Sequence, residues 1–256
     1  HGDTAHGFFY APKNHAYTAP AGDKPPLIVL VHGGPTAGAS ATWSANVQYF
    51  TTRGFAVLDV NYRGSTGFGR AYRDRLRGEW GVLDVDDCVA GARYLAAQGH
   101  VDPTRLVIRG GSAGGYTVLQ ALANHAVFAA GSCHYGISDL EALTRDTHKF
   151  ESHYDRSLIG PYPSHRDLYL ARSPIHYVER IRKPVIFFQG LEDRVVPAAQ
   201  TERMAKVLRE NGIHADYHAY PGEQHGFRKA ETIEHMLNTE LSFLQNVLGL
   251  QTEGKL

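Results

Sequence analysis

From Leu106 to Tyr116 the sequence reads Leu-Val-Ile-Arg-Gly-Gly-Ser-Ala-Gly-Gly-Tyr, and no other stretch constrains the fold as much. Leu106, Val107 and Ile108 are apolar and favour extended backbone, which predicts a strand buried on both faces. Gly110-Gly111-Ser112-Ala113-Gly114 then fits the pattern G-x-S-x-G, and Thr117 to Asn124 reads as a helix. A strand that turns this sharply into a helix strains its central residue, and only neighbours without side chains let the two elements approach. Ser112 would project its hydroxyl beyond the sheet, beside the free N–H groups of a helix start. A glycine-rich turn with an incidental serine is spelled the same way, so the rest of the chain must decide.

The remaining pattern alternates short apolar runs with amphipathic stretches. Strands are expected at Gly7 to Tyr10, Leu27 to Val31, Phe55 to Val60, Val127 to Ser132, Val185 to Gln189 and Ala215 to Ala219. Helices are expected over Trp43 to Thr52, Asp84 to Gln98, Ala198 to Asn211 and Lys229 to Leu248, with Gly54, Gly99 and Gly212 as stop signals. Val85, Val89, Ala92, Leu95 and Ala96 share one face of the second helix. Asp84, Asp86 and Asp87 cluster in its first turn, where carboxylates suit the helix dipole better than they suit a metal. Residues 138–182 lose this regularity, as a helical insertion over one end of the sheet would. Alternation of this kind specifies an α/β domain with a mostly parallel central sheet and right-handed crossovers.

Composition narrows the partners. In 256 residues the formal net charge is zero, which argues against nucleic acid, and no apolar run reaches membrane-spanning length. Cys88 and Cys133 are the only cysteines, too few for a disulfide scaffold or a thiolate metal site, and read as buried free thiols. His148 and His153 lack a third ligand at helical spacing, so no metal is expected there. The chain begins at His1, so the native N terminus is expected to lie upstream; a cytoplasmic location is only a default expectation.

In open α/β sheets, reactive groups gather beyond the carboxyl ends of strands. Ser112, Asp193 and His225 stand after three expected strands in the order Ser, Asp, His. A serine hydroxyl needs a base, which His225 supplies, and Asp193 would fix the imidazole and stabilise its cation. His214, His218 and His235 compete for the base, and Glu192 and Asp139 for the acid; Asp139 also follows a strand. After the Leu27 strand comes His32-Gly33-Gly34-Pro35, where glycine lets a backbone N–H face the site. Gly34 N–H and Ala113 N–H form the expected oxyanion pair, and His32 reads as a structural hydrogen-bonding residue rather than a second base.

Taken together, these motifs resemble the catalytic domain of the prolyl oligopeptidase family of serine peptidases, in its acylaminoacyl-peptidase-like branch. The resemblance rests on His32-Gly33-Gly34-Pro35, Asn61-Tyr62-Arg63-Gly64-Ser65-Thr66-Gly67-Phe68-Gly69, Gly110 to Gly115, Ser173-Pro174, Gly190-Leu191-Glu192-Asp193 and Glu223-Gln224-His225-Gly226-Phe227. It implies an α/β-hydrolase fold, a Ser112–Asp193–His225 relay with Gly34 and Ala113 at the oxyanion, and hydrolysis of short peptides without metal or organic cofactor. A carboxylesterase acting on small esters would use the same residues, and a non-catalytic binding module would keep only the fold. The resemblance also implies an N-terminal β-propeller, which is expected to be missing from these 256 residues, as is the first hydrolase strand. The expectation is a fragment of a longer peptidase or a free-standing hydrolase, with a bared apolar face favouring self-association into a homo-oligomer.

Overall fold

In the computed structural model, residues 2–146 and 154–250 are described. Strands β1 (His6–Tyr10), β2 (Leu27–Val31), β3 (Ala56–Asn61), β4 (Leu106–Gly111), β5 (Ala130–His134), β6 (Val185–Gly190) and β7 (Ala215–Tyr220) form one sheet in the order β1-β3-β2-β4-β5-β6-β7. β1 runs antiparallel to β3 at one edge, and every other pairing is parallel. The continuous apolar sequence of β2 is explained by its position: Leu27, Ile28 and Val29 have no exposed surface, between β3 and β4 and beneath helices on both faces.

The helices are α1 (Ala45–Thr51), α2 (Arg70–Asp74), α3 (Leu83–Ala97), α4 (Ala113–Asn124), α5 (Leu140–Asp146), α6 (Tyr154–Leu158), α7 (Arg166–Ala171), α8 (Ala199–Glu210) and α9 (Ala230–Val247). One layer of core joins α3, α4 and α8 to the sheet through Val85, Cys88, Leu119 and Met204. The opposite layer packs Val47 and Phe50 of α1 and Met236, Phe243 and Leu244 of α9 against Ile28, Val57 and Ile186. The expected insertion is helical, holding α5, α6, α7 and a 3-10 stretch at Pro174–Arg180 between β5 and β6. No helix among the described residues is long and apolar enough to cross a membrane.

Several boundaries differ from the sequence expectation, α4 beginning four residues earlier at Ala113, and two of the differences have a plain physical reason. β5 starts at Ala130 rather than Val127, because the crossover from α4 uses Val127 to Ala129 to bury Phe128 and to donate Ala129 N–H to Leu106 O. α1 starts after Ser44, whose hydroxyl accepts the Val47 N–H, and Trp43 is left outside the helix with 78% of its surface exposed.

Candidate active site

β4 and β5 end in register, with Gly111 opposite His134, and β6 and β7 end with Gly190 opposite Tyr220. The loops leaving these ends carry the chemistry. Ser112 is the residue between β4 and α4, with φ 58° and ψ −124°, a strained conformation for a side-chain-bearing residue. The close packing that enforces it is visible at the glycines. A methyl group on Gly110 would lie 2.5 Å from the Gly114 carbonyl carbon, and one on Gly114 would lie 2.2 Å from Val31 O. Ala113 opens α4, so its N–H belongs to the helix start with no intrahelical acceptor expected.

Asp193 lies three residues beyond β6 and His225 lies in the loop between β7 and α9. His225 Nε2 is 2.9 Å from Ser112 Oγ, and His225 Nδ1 is 2.7 Å from Asp193 Oδ2. A carboxylate only accepts, so Nδ1 carries the proton and Nε2 is left to accept from the serine hydroxyl. The Asp193 side chain has no exposed surface, yet its acceptor sites are filled: Oδ1 takes the N–H groups of Val195 and Val196, and Gln189 Nε2 stands 3.3 Å from Oδ2. Thr201 in turn donates to Gln189 Oε1. These bonds fix the carboxylate's orientation and compensate its burial.

Gly33 lies directly against the elbow: a methyl there would stand 3.4 Å from Ser112 Cβ and 3.2 Å from Gly111 O. Gly34 has φ 120°, open only to glycine. His32 turns into the protein, stacked on Tyr62 at 4.3 Å, with Nδ1 donating to Gly33 O and Nε2 accepting from Ser65 Oγ at 2.7 Å. Burial holds its pKa below the ordinary histidine value. Its place is structural, as its sequence context suggested.

The rival residues are occupied elsewhere. Asp139 takes the Ala142 N–H on α5 and lies 3.5 Å from Arg203. Glu192 is exposed. His214 pairs with Asp216, His218 stacks on Phe188, and His235 Nδ1 meets the Tyr220 hydroxyl. Asp84 and Asp87 do more than face a helix dipole: Asp84 accepts from Gly81 N–H and Thr117 Oγ1, and Asp87 from the Arg63 guanidinium and N–H. Both cysteines are buried and free. His148 and His153 lie outside the described residues, among which no group of His, Cys, Asp and Glu is arranged to hold a metal.

Two features went unread in the sequence. Tyr135, the first residue after β5, has φ 38° and places its ring 4.8 Å from that of His225 and edge-on to Phe227. Its position just past a strand's carboxyl end was the available signal. Below the elbow, Arg109 of β4 donates from Nε and Nη2 to Glu240 of α9, which also accepts from Ser132 Oγ and lies 3.2 Å from His134 Nε2. Burial alone would raise the Glu240 pKa, but Arg109 and then His134 outweigh it and hold the carboxyl well below its usual range.

The chain matches known proteins over most of its length. The model of the prolyl oligopeptidase family matches residues 41–251. The structure of a Mycobacterium tuberculosis puromycin-hydrolyzing peptidase superposes with TM-score 0.95 at 47% identity, over 98% of this chain and 38% of that one. The dipeptidyl aminopeptidase BIII of Pseudoxanthomonas mexicana is 32% identical over 89% of this chain and 34% of its own length. The acylamino-acid-releasing enzyme of Arabidopsis thaliana is 28% identical over 85% of this chain and 30% of its own. The chain thus spans about a third of the length of the curated relatives it matches.

Proposed function

This chain belongs to the prolyl oligopeptidase family, and from that footing we propose that it is a serine peptidase cleaving amide bonds of short peptides through Ser112, His225 and Asp193. One observation carries the assignment of roles: a continuous hydrogen-bonded line from Ser112 Oγ through both His225 nitrogens to a fully buried carboxylate. Ser112 Oγ attacks the scissile carbonyl carbon while His225 Nε2 takes its proton. The oxyanion that forms is met by the N–H groups of Gly34 and Ala113, each worth ~3–4 kcal/mol in the transition state. His225 then protonates the leaving amine. Water, deprotonated by the same imidazole, hydrolyses the acyl-enzyme. No step in this sequence calls for a metal or an organic cofactor.

The names of the relatives suggest which substrates to try: dipeptidyl and acylaminoacyl amides, and puromycin itself. The deciding assay sets aminoacyl, N-acetyl-aminoacyl and dipeptidyl anilides beside a p-nitrophenyl ester, with Ser112→Ala as control. Amide turnover that disappears in Ser112→Ala is the expected result. Ester turnover without amide turnover would make the chain an esterase instead. No turnover, with no labelling of Ser112 by a fluorophosphonate, would leave only a binding module.

A further inference from the structure

We infer that Asn61 and Tyr62 are positioning residues that hold the His32–Ala39 loop, and with it the Gly34 N–H, over Ser112; the inference rests on the acyl-transfer reading above. Asn61 is the last residue of β3 and Tyr62 the first beyond it; β3 lies beside β2, so the end of one strand meets the loop after the other. The Asn61 side chain is fully buried and treats Ala39 as a strand neighbour would. Its Oδ1 accepts the Ala39 N–H at 2.8 Å and its Nδ2 donates to Ala39 O at 3.1 Å. Thr66 N–H donates to Ala37 O at 2.7 Å. The Tyr62 hydroxyl donates to Pro35 O at 2.6 Å while its ring stacks on His32.

His32, Pro35, Ala37 and Ala39 are therefore each gripped, and Gly33 and Gly34 lie within the gripped span. The loop needs such anchoring. Glycines have the widest conformational freedom of any residue, and an oxyanion donor stabilises the transition state only to the extent that it is already in place. Asn61 is itself fixed, because its carbonyl accepts the Tyr72 hydroxyl at 2.6 Å. A clamp acting on an oxyanion donor contributes where negative charge develops, so its loss lowers kcat and leaves ground-state binding alone.

The test uses the whole chain carrying Tyr62→Phe or Asn61→Asp. Tyr62→Phe keeps the ring on His32 and deletes the bond to Pro35; Asn61→Asp keeps one acceptor and deletes the donor to Ala39 O. Kinetics on the best amide are paired with the affinities of a peptide boronic acid and of the matching peptide amide. Boron accepts a lone pair from Ser112 Oγ, whose proton passes to His225, and the tetrahedral boronate presents an oxygen at the oxyanion position. The peptide amide does neither. Each variant is expected to lose ~10–100-fold in kcat and a similar factor in boronate affinity, with KM and peptide-amide affinity within about 3-fold of wild type.

An unchanged kcat in a folded Tyr62→Phe protein would overturn the inference. So would a lower kcat with boronate affinity intact, or a rise in KM alone. If Asn61→Asp fails to fold by circular dichroism, Tyr62→Phe decides by itself. Full activity in Ser112→Ala would instead sink the acyl-transfer reading and this inference with it, whereas an inactive Ser112→Ala beside a wild-type-like Tyr62→Phe would sink the clamp alone.

Discussion

The backbone N–H of Ser112 donates to the carbonyl oxygen of His134 at 2.9 Å, so the nucleophile hangs from the end of the neighbouring strand. The His134 ring is in turn held from below by Glu240 and Ser132. Removing Glu240 leaves the Arg109 side chain, 9% exposed, without its counter-ion. Glu240→Ala should cost roughly 3–5 kcal/mol of stability in urea unfolding, because a buried charge that loses its partner costs more than the pair contributes. The pH dependence has a definite sign. An unfolded chain protonates this carboxyl near 4.5 and the folded one only in stronger acid. The group's contribution is therefore present above 4.5 and lost as pH falls through the lower folded value. The gap between wild type and Glu240→Ala should hold constant down to about pH 5 and then shrink between about pH 5 and pH 3; a gap that stays constant down to about pH 3 would contradict the depressed pKa.

Gly114→Ala should damage the elbow beyond what its size suggests. The added methyl would sit 2.2 Å from Val31 O and 3.0 Å from His32 O, and neither backbone atom has room to yield. α4 would have to move off β2, at a cost of ~1–3 kcal/mol or more. A displacement of about 1 Å at the nucleophile can cost a hundredfold in turnover. Gly91→Ala is the control: its methyl meets only Leu58 Cδ2, at 2.7 Å, the movable end of a side chain, and alanine favours the helix. Thermal unfolding and kcat should change strongly in the first variant and little in the second.

Asp84 should make stability fall as pH rises through mild acid. Burial raises its pKa from 3.8 to about 6, against the opposing hydrogen bonds from Thr117 and Gly81. Between those values the folded protein keeps a proton that the unfolded chain has lost. The favourable contribution is complete below 3.8 and gone once pH passes about 6, a loss of roughly 3 kcal/mol. Asp84→Asn removes the titration while still able to accept the Gly81 N–H. Its stability relative to wild type should rise between pH 4 and pH 7, measured as the shift in urea midpoint; a constant difference would mean that Asp84 stays ionised throughout.

The sequence carried the parts of this architecture that depend on short-range pattern. The elbow needs glycine at fixed spacing, β2 is apolar because both faces are covered, and the Ser112, Asp193 and His225 loops follow strands that parallel pairing brings to one edge. What it did not carry are partnerships set by the third dimension. Arg109 meets Glu240 across 131 residues, and Thr117 meets Asp84 across 33. Periodicity says which face of a helix is buried but not which buried polar group waits opposite. The clustered acids after Trp80 therefore read as a helix start, when Asp84 and Asp87 tie α3 to the nucleophile helix and to Arg63. Tyr135 was missed because the strand was expected to end at Ser132 rather than at His134, which hid that this tyrosine is the first residue beyond its carboxyl end.

The choice of acid gives the sharpest comparison between two side chains of one type. Asp193 lies 2.7 Å from His225 Nδ1, whereas Asp139 caps α5 and faces Arg203. An asparagine at 193 presents to Nδ1 either an amide oxygen without charge or an amide N–H, which forces the proton onto Nε2 and leaves the serine without a base. Asp193→Asn should therefore lower kcat by about four powers of ten with the fold intact. Asp139→Asn keeps an oxygen for the Ala142 N–H and should remain within a few-fold of wild type. Raising the pH should restore part of the Asp193→Asn activity, since hydroxide can take the serine proton when imidazole cannot. Steady-state kinetics of both variants from pH 6 to pH 10 decide the matter: an inactive Asp139→Asn beside a near-normal Asp193→Asn would mean that the line through His225 is not the one that moves the proton.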